Sequence, residues 1–178
     1  MNKIGVFGAL LALAAVVGLV WMNYSGFRKS EQGSKVDYKN ATYTIDGNPI
    51  TLVNGVSEVP AAPGSASTLT VKYFGNEAKG DLNGDGAEDL AFLITQSGGG
   101  SGTFYYVVAA LQNADGGYTG SNALLLGDRI APQTTEIKAA EITVNYADRR
   151  ANQPMTAQPS VGVSKHFKLQ NGQLEAVQ

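Results

Sequence analysis

The stretch Leu90-Ala91-Phe92-Leu93-Ile94-Thr95 carries no charged side chain, and it is the part of the sequence from which the fold is most directly predicted. A continuous apolar run of this length indicates a strand that is covered on both faces. The glycine-rich segment Gly98-Gly99-Gly100-Ser101-Gly102 follows, and then a second apolar, β-branched and aromatic run from Thr103 to Leu111. We therefore expect two long central strands joined by a mobile glycine loop.

Hairpin signals surround these two strands. Asp46-Gly47-Asn48-Pro49 separates two strand-like segments, Ala139-Ala140 lies between two more, and Asn171-Gly172 is a strong two-residue hairpin turn. Helical periodicity is not convincing anywhere, and no internal repeat indicates a propeller or solenoid. The sequence predicts a mainly β fold, an antiparallel sandwich or a barrel-like sheet built from hairpins, which forms a single domain over residues 41–178.

The composition excludes several classes of chemistry. The 178 residues contain no cysteine and one histidine, so disulfides, thiolate metal sites, cysteine nucleophiles and histidine clusters are ruled out. His166 lies on an alternating segment, which indicates a solvent-facing strand residue. The net charge of −2 provides no basic surface for nucleic acid. We therefore expect no nucleic-acid partner.

An uncharged apolar run from Ile4 to Met22 opens the chain. A helix of this length spans about 30 Å, the thickness of the hydrocarbon core of a bilayer. Trp21 and Tyr24 stand where interfacial aromatic residues are expected. Cleavage after the small-x-small motif at 12–14 would leave a strongly apolar mature terminus, so an uncleaved signal-anchor is favoured. We expect one transmembrane helix within a membrane anchor over residues 1–29 and a polar tether over residues 30–40.

The orientation of this anchor rests on two opposing arguments. Lys3 and the α-amine are outnumbered by the basic residues on the other side of the run, which are Arg28, Lys29, Lys35 and Lys39. Against that count, a calcium loop of modest affinity fills at extracellular concentrations and not at resting cytosolic ones. We expect the C-terminal domain to be extracytoplasmic, either periplasmic or at the cell surface.

The acidic segment 81–89 precedes the first central strand. In a calcium loop, oxygens at positions one, three and five converge on the cation, glycine at position six permits the turn, and position seven contributes a carbonyl. Position nine acts directly or through water. The sequence therefore predicts a Ca²⁺ site with the ligands Asp81, Asn83, Asp85, Ala87 and Asp89.

This loop departs from an EF-hand, because position twelve is Phe92 and an apolar strand follows in place of a helix. It resembles the calcium loops of FG-GAP repeats, in which a short Asp-rich loop leads into a strand. The resemblance covers about a dozen residues in one copy, so it implies a metal site and no propeller. The alternative is a metal-free turn in which Asn and Asp side chains cap their own backbone.

A wider set of segments is similar to a family of uncharacterised bacterial exported domains that are tethered to membranes, and to LppP/LprE-type lipoproteins. The similarity spans most of residues 40–170, and it is carried by the segments 73–77, 80–86, 100–108, 126–130, 145–149 and 154–155. It implies an envelope location and a compact domain, without a defined activity. The chain lacks the acylated cysteine of the lipoproteins, so its N-terminal helix would have to provide the anchor.

Asp128, Arg129, Asp148 and Arg149 form a second candidate site. Arg–carboxylate pairs often pin strands together, which is the structural interpretation and the preferred one. The functional interpretation is an anionic ligand site, because guanidinium groups bind carboxylates in a bidentate manner. The glycine loop 98–102 lacks the features of a phosphate loop but is a candidate binding loop.

Three functions remain open from the sequence. The first is a calcium-stabilised, non-enzymatic binding or structural module of the cell envelope, with an envelope protein or a glycan as its partner. The second is a cell-wall glycan hydrolase that uses paired carboxylates. The third is an accessory subunit that joins a membrane complex through its helix.

Overall fold

The computed structural model describes residues 35–62 and 64–177. The predicted membrane anchor and the first residues of the tether lie outside these ranges. Within residues 35–62 and 64–177, no helix is long and apolar enough to cross a membrane.

The described chain consists of antiparallel strands and one short 3₁₀ turn at Tyr38–Asn40. The strands are β1 (Thr42–Ile45), β2 (Asn48–Thr51), β3 (Val56–Pro60), β4 (Thr68–Gly80), β5 (Asp89–Ser97), β6 (Phe104–Gln112), β7 (Tyr118–Gly120), β8 (Leu124–Asp128), β9 (Ala131–Lys138), β10 (Glu141–Asp148), β11 (Val161–Gln170) and β12 (Gln173–Val177). The prediction of a mainly β, antiparallel fold is confirmed.

The strands form two sheets and a separate hairpin. The larger sheet has the order β3-β4-β5-β6-β7, and β8 pairs with the first half of β6. The second sheet has the order β12-β11-β10-β9. Strands β1 and β2 form a two-stranded hairpin, and Thr44 of β1 also makes an isolated parallel bridge with Asn122. The adjacent central strands β5 and β6 are those expected from the two apolar runs.

Strand β5 is buried on both faces, as its sequence predicts. Leu90, Phe92 and Ile94 point into one apolar cluster, which the β1–β2 hairpin covers. Ala91 and Leu93 point into a second cluster, which the β9–β12 sheet covers. Each fully buried Leu, Ile or Phe side chain stabilises the folded state by about 1.5–3 kcal/mol relative to leaving it exposed. The run from Leu90 to Thr95 within β5 carries no charged side chain, as expected where both faces are covered.

The hairpin turns follow the predicted positions closely. Asp46-Gly47 has φ values of +50° and +80°, and Asn171-Gly172 has values of +51° and +77°. Both are two-residue turns, since Ile45 pairs with Asn48 and Gln170 with Gln173. Such turns need left-handed backbone at both central residues, which Asn, Asp and Gly tolerate. The first turn is shorter than its four-residue signal, because Asn48 and Pro49 already belong to β2.

The turn at Ala139-Ala140 has the same geometry without a favourable residue. Lys138 pairs with Glu141, and the two alanines have φ values of +49° and +57°. Left-handed backbone brings the Cβ of an alanine close to a carbonyl oxygen. The predicted hairpin is therefore present, but with local strain.

Lys35 is the first residue of a compact unit that contains all the strands. The polar composition of residues 35–40 predicts that they belong to the tether. In the structure they pack on the larger sheet, and Tyr38 contacts the apolar cluster beneath the β1–β2 hairpin.

Candidate functional site

The acidic loop connects the end of β4 at Gly80 to the start of β5 at Asp89. Gly84 and Gly86 have φ values of +81° and +84°, a conformation that side chains with a Cβ rarely adopt. The two glycines therefore let the chain curl back on itself, as the spacing of the loop predicts.

Short side chains of the loop bond to the backbone that follows them. The Asp81 carboxylate accepts hydrogen bonds from the N–H of Gly84 at 2.7 Å and of Gly86 at 3.0 Å. Asn83 Oδ1 accepts from the N–H of Asp85 at 2.9 Å, and Asp85 Oδ1 accepts from that of Ala87 at 2.7 Å. These bonds define the curl of the loop before any cation is considered.

Asp89 has a different environment from the other predicted ligands. Its side chain is fully buried, whereas Asn83 and Asp85 are exposed. Its Oδ2 accepts a hydrogen bond from the N–H of Leu82 at 2.9 Å, and its Oδ1 accepts one from the N–H of Gln112 at 2.9 Å. Asp89 thus joins the loop to the ends of both central strands, a role that the sequence did not indicate.

The donor set suits a hard cation, because all the predicted ligand atoms are oxygens. Hydrogen bonds from the Ala87 N–H and from Asn83 lower the pKa of Asp85, so this carboxylate is charged at neutral pH. Within residues 35–62 and 64–177, however, no three His, Cys, Asp or Glu side chains converge on a metal position. Cation binding would therefore require the acidic side chains of the loop to draw together.

The second candidate group comes together where β8 meets β9 and where β10 ends. Arg129 Nη2 lies 3.0 Å from Asp128 Oδ2, and Asp128 Oδ1 accepts from the N–H of Thr103 at 2.8 Å. Partial burial raises the pKa of Asp128, but hydrogen bonds from Arg129 and Thr103 and the charge of Arg149 together lower it. The carboxylate of Asp128 is thus held in its charged form.

Arg149 binds backbone carbonyls. Its Nε donates to Ala157 O at 2.7 Å, and its Nη1 donates to Arg129 O at 2.9 Å and to Asp128 O at 3.3 Å. The Asp148 carboxylate accepts the N–H of Arg149 at 2.7 Å. The Arg–carboxylate pair joins the adjacent residues Asp128 and Arg129, and Arg149 reaches the other segments through backbone carbonyls and not through a carboxylate. Both the strand-pinning pair and the ligand-binding role stay predictions.

A cleft of about 340 Å³ lies beside the glycine loop. Its lining is mainly apolar and comprises Leu69, Gln96, Ser97, Gly98, Gly100, Gly102, Phe104, Tyr106 and Leu125. Phe104 and Leu125 expose 40% and 50% of their surface, which is high for large apolar side chains. In the sequence, only the glycine loop indicated a binding site at this position. Nothing in the sequence indicated that Leu69 and Leu125 would lie beside that loop.

The Asp128–Arg129 pair fixes one end of the glycine loop. Arg129 N–H donates to Thr103 O at 2.7 Å, while Asp128 accepts the N–H of the same residue. On the other side, the Tyr106 hydroxyl donates to Gln96 Oε1 at 2.8 Å. The cleft is therefore built on anchored strand ends, although its rim is glycine-rich.

No family model, curated protein or solved structure matches this chain. The resemblances to FG-GAP loops and to LppP/LprE-type lipoproteins remain predictions.

Proposed function

We propose that this chain is a membrane-tethered, non-enzymatic binding domain of the cell envelope, whose acidic loop holds Ca²⁺ and stabilises the central strands. In this proposal residues 1–29 are the single-pass anchor and the C-terminal domain is extracytoplasmic. The partner is an envelope protein or a glycan.

The connection made by Asp89 is the observation that carries the proposal. Position nine of the loop is also the first residue of β5, and it is hydrogen-bonded to Gln112 at the end of β6. A cation held by Asp81, Asp85 and Asp89 would tie the loop to both strands and oppose fraying at this end of the sheet. The metal would thus have a structural role.

The cleft supports the binding role. Because β5 and β6 are antiparallel, the acidic loop lies at one end of this pair and the glycine loop at the other. A cleft of 300–1,000 Å³ with an apolar lining and a few polar groups is typical of ligand sites. Stabilising the shared strands at one end would keep the cleft in shape at the other.

Two features favour binding over acid–base chemistry. The residues that line the cleft include no Asp, Glu, His or Lys. A glycosidic general acid needs a raised pKa. Among residues 35–62 and 64–177, the carboxyl groups whose pKa is displaced are Glu77, Asp85 and Asp128, and in each the pKa is lowered. The glycan hydrolase and the accessory subunit stay alternative predictions.

Thermal unfolding of the detergent-solubilised full chain, with millimolar calcium and then with a chelator, tests the metal. A ligand at 100 times its Kd that binds only the folded state adds about 2.7 kcal/mol of stability, which is easily seen as a shift in Tm. We expect this shift to disappear in the variant D81A/D85A. The matched control is E88Q, since Glu88 is an exposed loop acid paired with Lys79 and is not a predicted ligand.

If the Tm of the wild type is the same with calcium and with the chelator, the loop does not hold calcium and the metal part of the proposal is wrong. The orientation has a separate test, in which protease is added outside intact cells. The domain should be cut together with a surface control protein, and its survival would place it on the other side of the membrane.

A further inference from the structure

The cleft beside the glycine loop is the open end of an apolar sheet face. On this face of the larger sheet, Phe92, Ile94 and Val108 are fully buried in the cluster beneath the β1–β2 hairpin. The alternation of β5 and β6 continues the same face to Gln96 and Phe104, which are direct partners across the two strands. Phe104 exposes 40% of its surface. The cleft is therefore the part of this face that the hairpin leaves uncovered.

Two neighbouring strands extend the uncovered face. Leu125 of β8 is the direct partner of Tyr106 in β6, and half of its surface is exposed. Leu69 of β4 lies two residues before Val71, which is fully buried on the same face. Leucine side chains from β4 and β8 thus lie on either side of Phe104 in the lining of the cleft. Large apolar side chains that are exposed together mark binding surfaces.

Gln96 brings an unpaired hydrogen-bond donor to this apolar lining. The Tyr106 hydroxyl donates to Gln96 Oε1 at 2.8 Å, so the Nε2 end of the amide is left for another partner. Among residues 35–62 and 64–177, no atom accepts a hydrogen bond from this nitrogen, and no buried side-chain nitrogen or oxygen lacks a partner. Gln96 Nε2 is therefore accessible to solvent, and it can donate to a molecule in the cleft.

The backbone of the glycine loop is also open to an incoming molecule. In the described part of the chain, the N–H and C=O groups of residues 98–102 make no hydrogen bond to any other residue. A Cβ built at Gly100 would meet nothing within 4 Å, so the backbone there is unscreened. The rim of the cleft thus presents both donors and acceptors, the two groups that a peptide backbone needs.

The lining favours a peptide over a sugar. All the residues that line the cleft are uncharged, so a charged group would lose its hydration there without gaining a partner. A sugar carries hydroxyl groups on most of its ring carbons, whereas the polar side chains of the lining are Gln96, Ser97 and Tyr106 alone. An apolar side chain needs no polar partner in the cleft, and the backbone beside it can bond to the rim.

We propose that the cleft and the glycine loop together bind an uncharged peptide segment of a partner protein. One apolar side chain of the segment packs against Leu69, Phe104 and Leu125. The adjacent backbone carbonyl accepts the hydrogen of Gln96 Nε2, and further backbone groups bond to the loop. A central apolar anchor within a polar rim is the usual source of affinity at protein interfaces. This inference rests on the binding role in the proposed function and narrows its partner to a protein.

NMR titration of the full chain in lipid nanodiscs tests the inference, since detergent would compete for an apolar cleft. The probe is the blocked peptide Ac-Ala-Phe-Ala-NH₂, followed by the shifts of Gln96 Nε2–H and of residues 98–102. Its comparators are Ac-Ala-Ala-Ala-NH₂, which lacks the large apolar side chain, and toluene, which lacks the backbone. We expect the Phe peptide to bind at least about tenfold more tightly than the Ala peptide, as burial of one aromatic side chain implies.

A variant of Gln96 isolates the backbone contact. Q96M removes the amide and keeps an unbranched side chain of similar length. It should weaken binding of the Phe peptide by about threefold to tenfold, the effect of losing one neutral hydrogen bond, and leave the affinity for toluene unchanged. The matched control is Q112M, because Gln112 also bonds a tyrosine hydroxyl, that of Tyr118, but lies at the opposite end of β6. Q112M should leave both affinities unchanged.

Equal affinities for the Phe and Ala peptides would overturn the inference, as would a loss of toluene binding in Q96M equal to the loss of peptide binding. Tighter binding of methyl N-acetylglucosaminide than of the Phe peptide would overturn it in favour of a glycan. In these cases, saturable binding of toluene or of the glycoside leaves the proposed binding role intact. If none of the probes binds, both the inference and that role are wrong. If Q96M does not fold, the comparison of the two peptides decides.

Discussion

The carboxylate of Asp89 and the backbone N–H of Gln112 are joined by a 2.9 Å hydrogen bond that links the first residue of β5 to the last residue of β6. The side chain is fully buried, and its second oxygen accepts the N–H of Leu82. One carboxylate therefore satisfies one buried and one partly buried donor and connects the acidic loop to the centre of the sheet.

Replacing Asp89 with Asn should destabilise the fold even in the absence of calcium. An amide has one acceptor oxygen, so its NH₂ group would face either the Leu82 or the Gln112 N–H. Leaving one buried donor without a partner costs about 1–3 kcal/mol. Urea unfolding with a chelator present measures this loss. Asp46→Asn is the control, since Asn suits its exposed left-handed turn, and an equal loss in both variants would contradict the role of Asp89.

Replacing Ala140 with Gly should stabilise the protein. Relief of the left-handed strain at φ +57° gains about 1–2 kcal/mol, and the greater freedom of glycine in the unfolded chain offsets about 0.4–1 kcal/mol of it. We expect a net gain of about 0.5–1 kcal/mol in chemical unfolding from these opposing terms. Ala176→Gly in β12 is the control and should destabilise, since only the second term applies there. A loss at both positions would show that the turn is unstrained.

Replacing Gly120 with Ala should destabilise the contact between β7 and the β1–β2 hairpin. A Cβ at this position would lie 2.3 Å from the Thr42 carbonyl oxygen and 2.7 Å from the Tyr43 ring. The Thr42 backbone cannot shift without disturbing β1, so we expect the free energy of unfolding to fall by about 1–3 kcal/mol. Gly162→Ala is the control because it has open space around it. Equal unfolding midpoints for the two variants would argue against close packing at β7.

Acidification should weaken the contact between Tyr38 and Glu77, and with it the docking of residues 35–40, before the domain unfolds. The pKa of Glu77 is lowered in the folded protein: burial raises it, but hydrogen bonds from Tyr73 and Tyr38 and the charge of Lys39 outweigh that effect. The stabilisation is therefore complete above the ordinary value of 4.5 and is lost as the pH falls through the folded value. Hydrogen exchange of the Gly55 N–H, which donates to the Lys39 carbonyl, should show this loss by NMR. In E77Q the pH dependence should vanish, and its persistence would assign the effect to another group.

The cleft should bind small apolar molecules. Titration with indole, followed by NMR shifts of Gly98 and Gly102, should give saturable binding. Leu125→Asp should weaken it at least tenfold, because the new carboxylate would be desolvated by the ligand. Phe74→Ala is the control, since Phe74 is exposed and packs on Tyr105 outside the cleft lining. Binding that is unaffected by Leu125→Asp would place indole elsewhere.

The sequence by itself determined the features that depend on neighbouring residues. Asp46-Gly47 and Asn171-Gly172 turn because their backbone tolerates positive φ, whatever lies around them. The uncharged run in β5 can only be stable where both of its faces are covered. The curl of the acidic loop likewise follows from short side chains that bond to the backbone within five residues. The cation in that loop stays a prediction.

The tertiary structure decided the features that join distant parts of the chain. Tyr38 stands in a polar stretch that reads as tether, and contacts with distant residues, among them Glu77, 39 residues away, and Phe92, make that stretch part of the fold. Asp89 fits a ligand position in sequence, yet its partner Gln112 is 23 residues away. The sequence likewise predicted neither strand β3 nor the set of residues that lines the cleft. Local conformation depends on the side chains of adjacent residues, whereas these partners are brought together only by burial of the apolar clusters on the two faces of the central sheet.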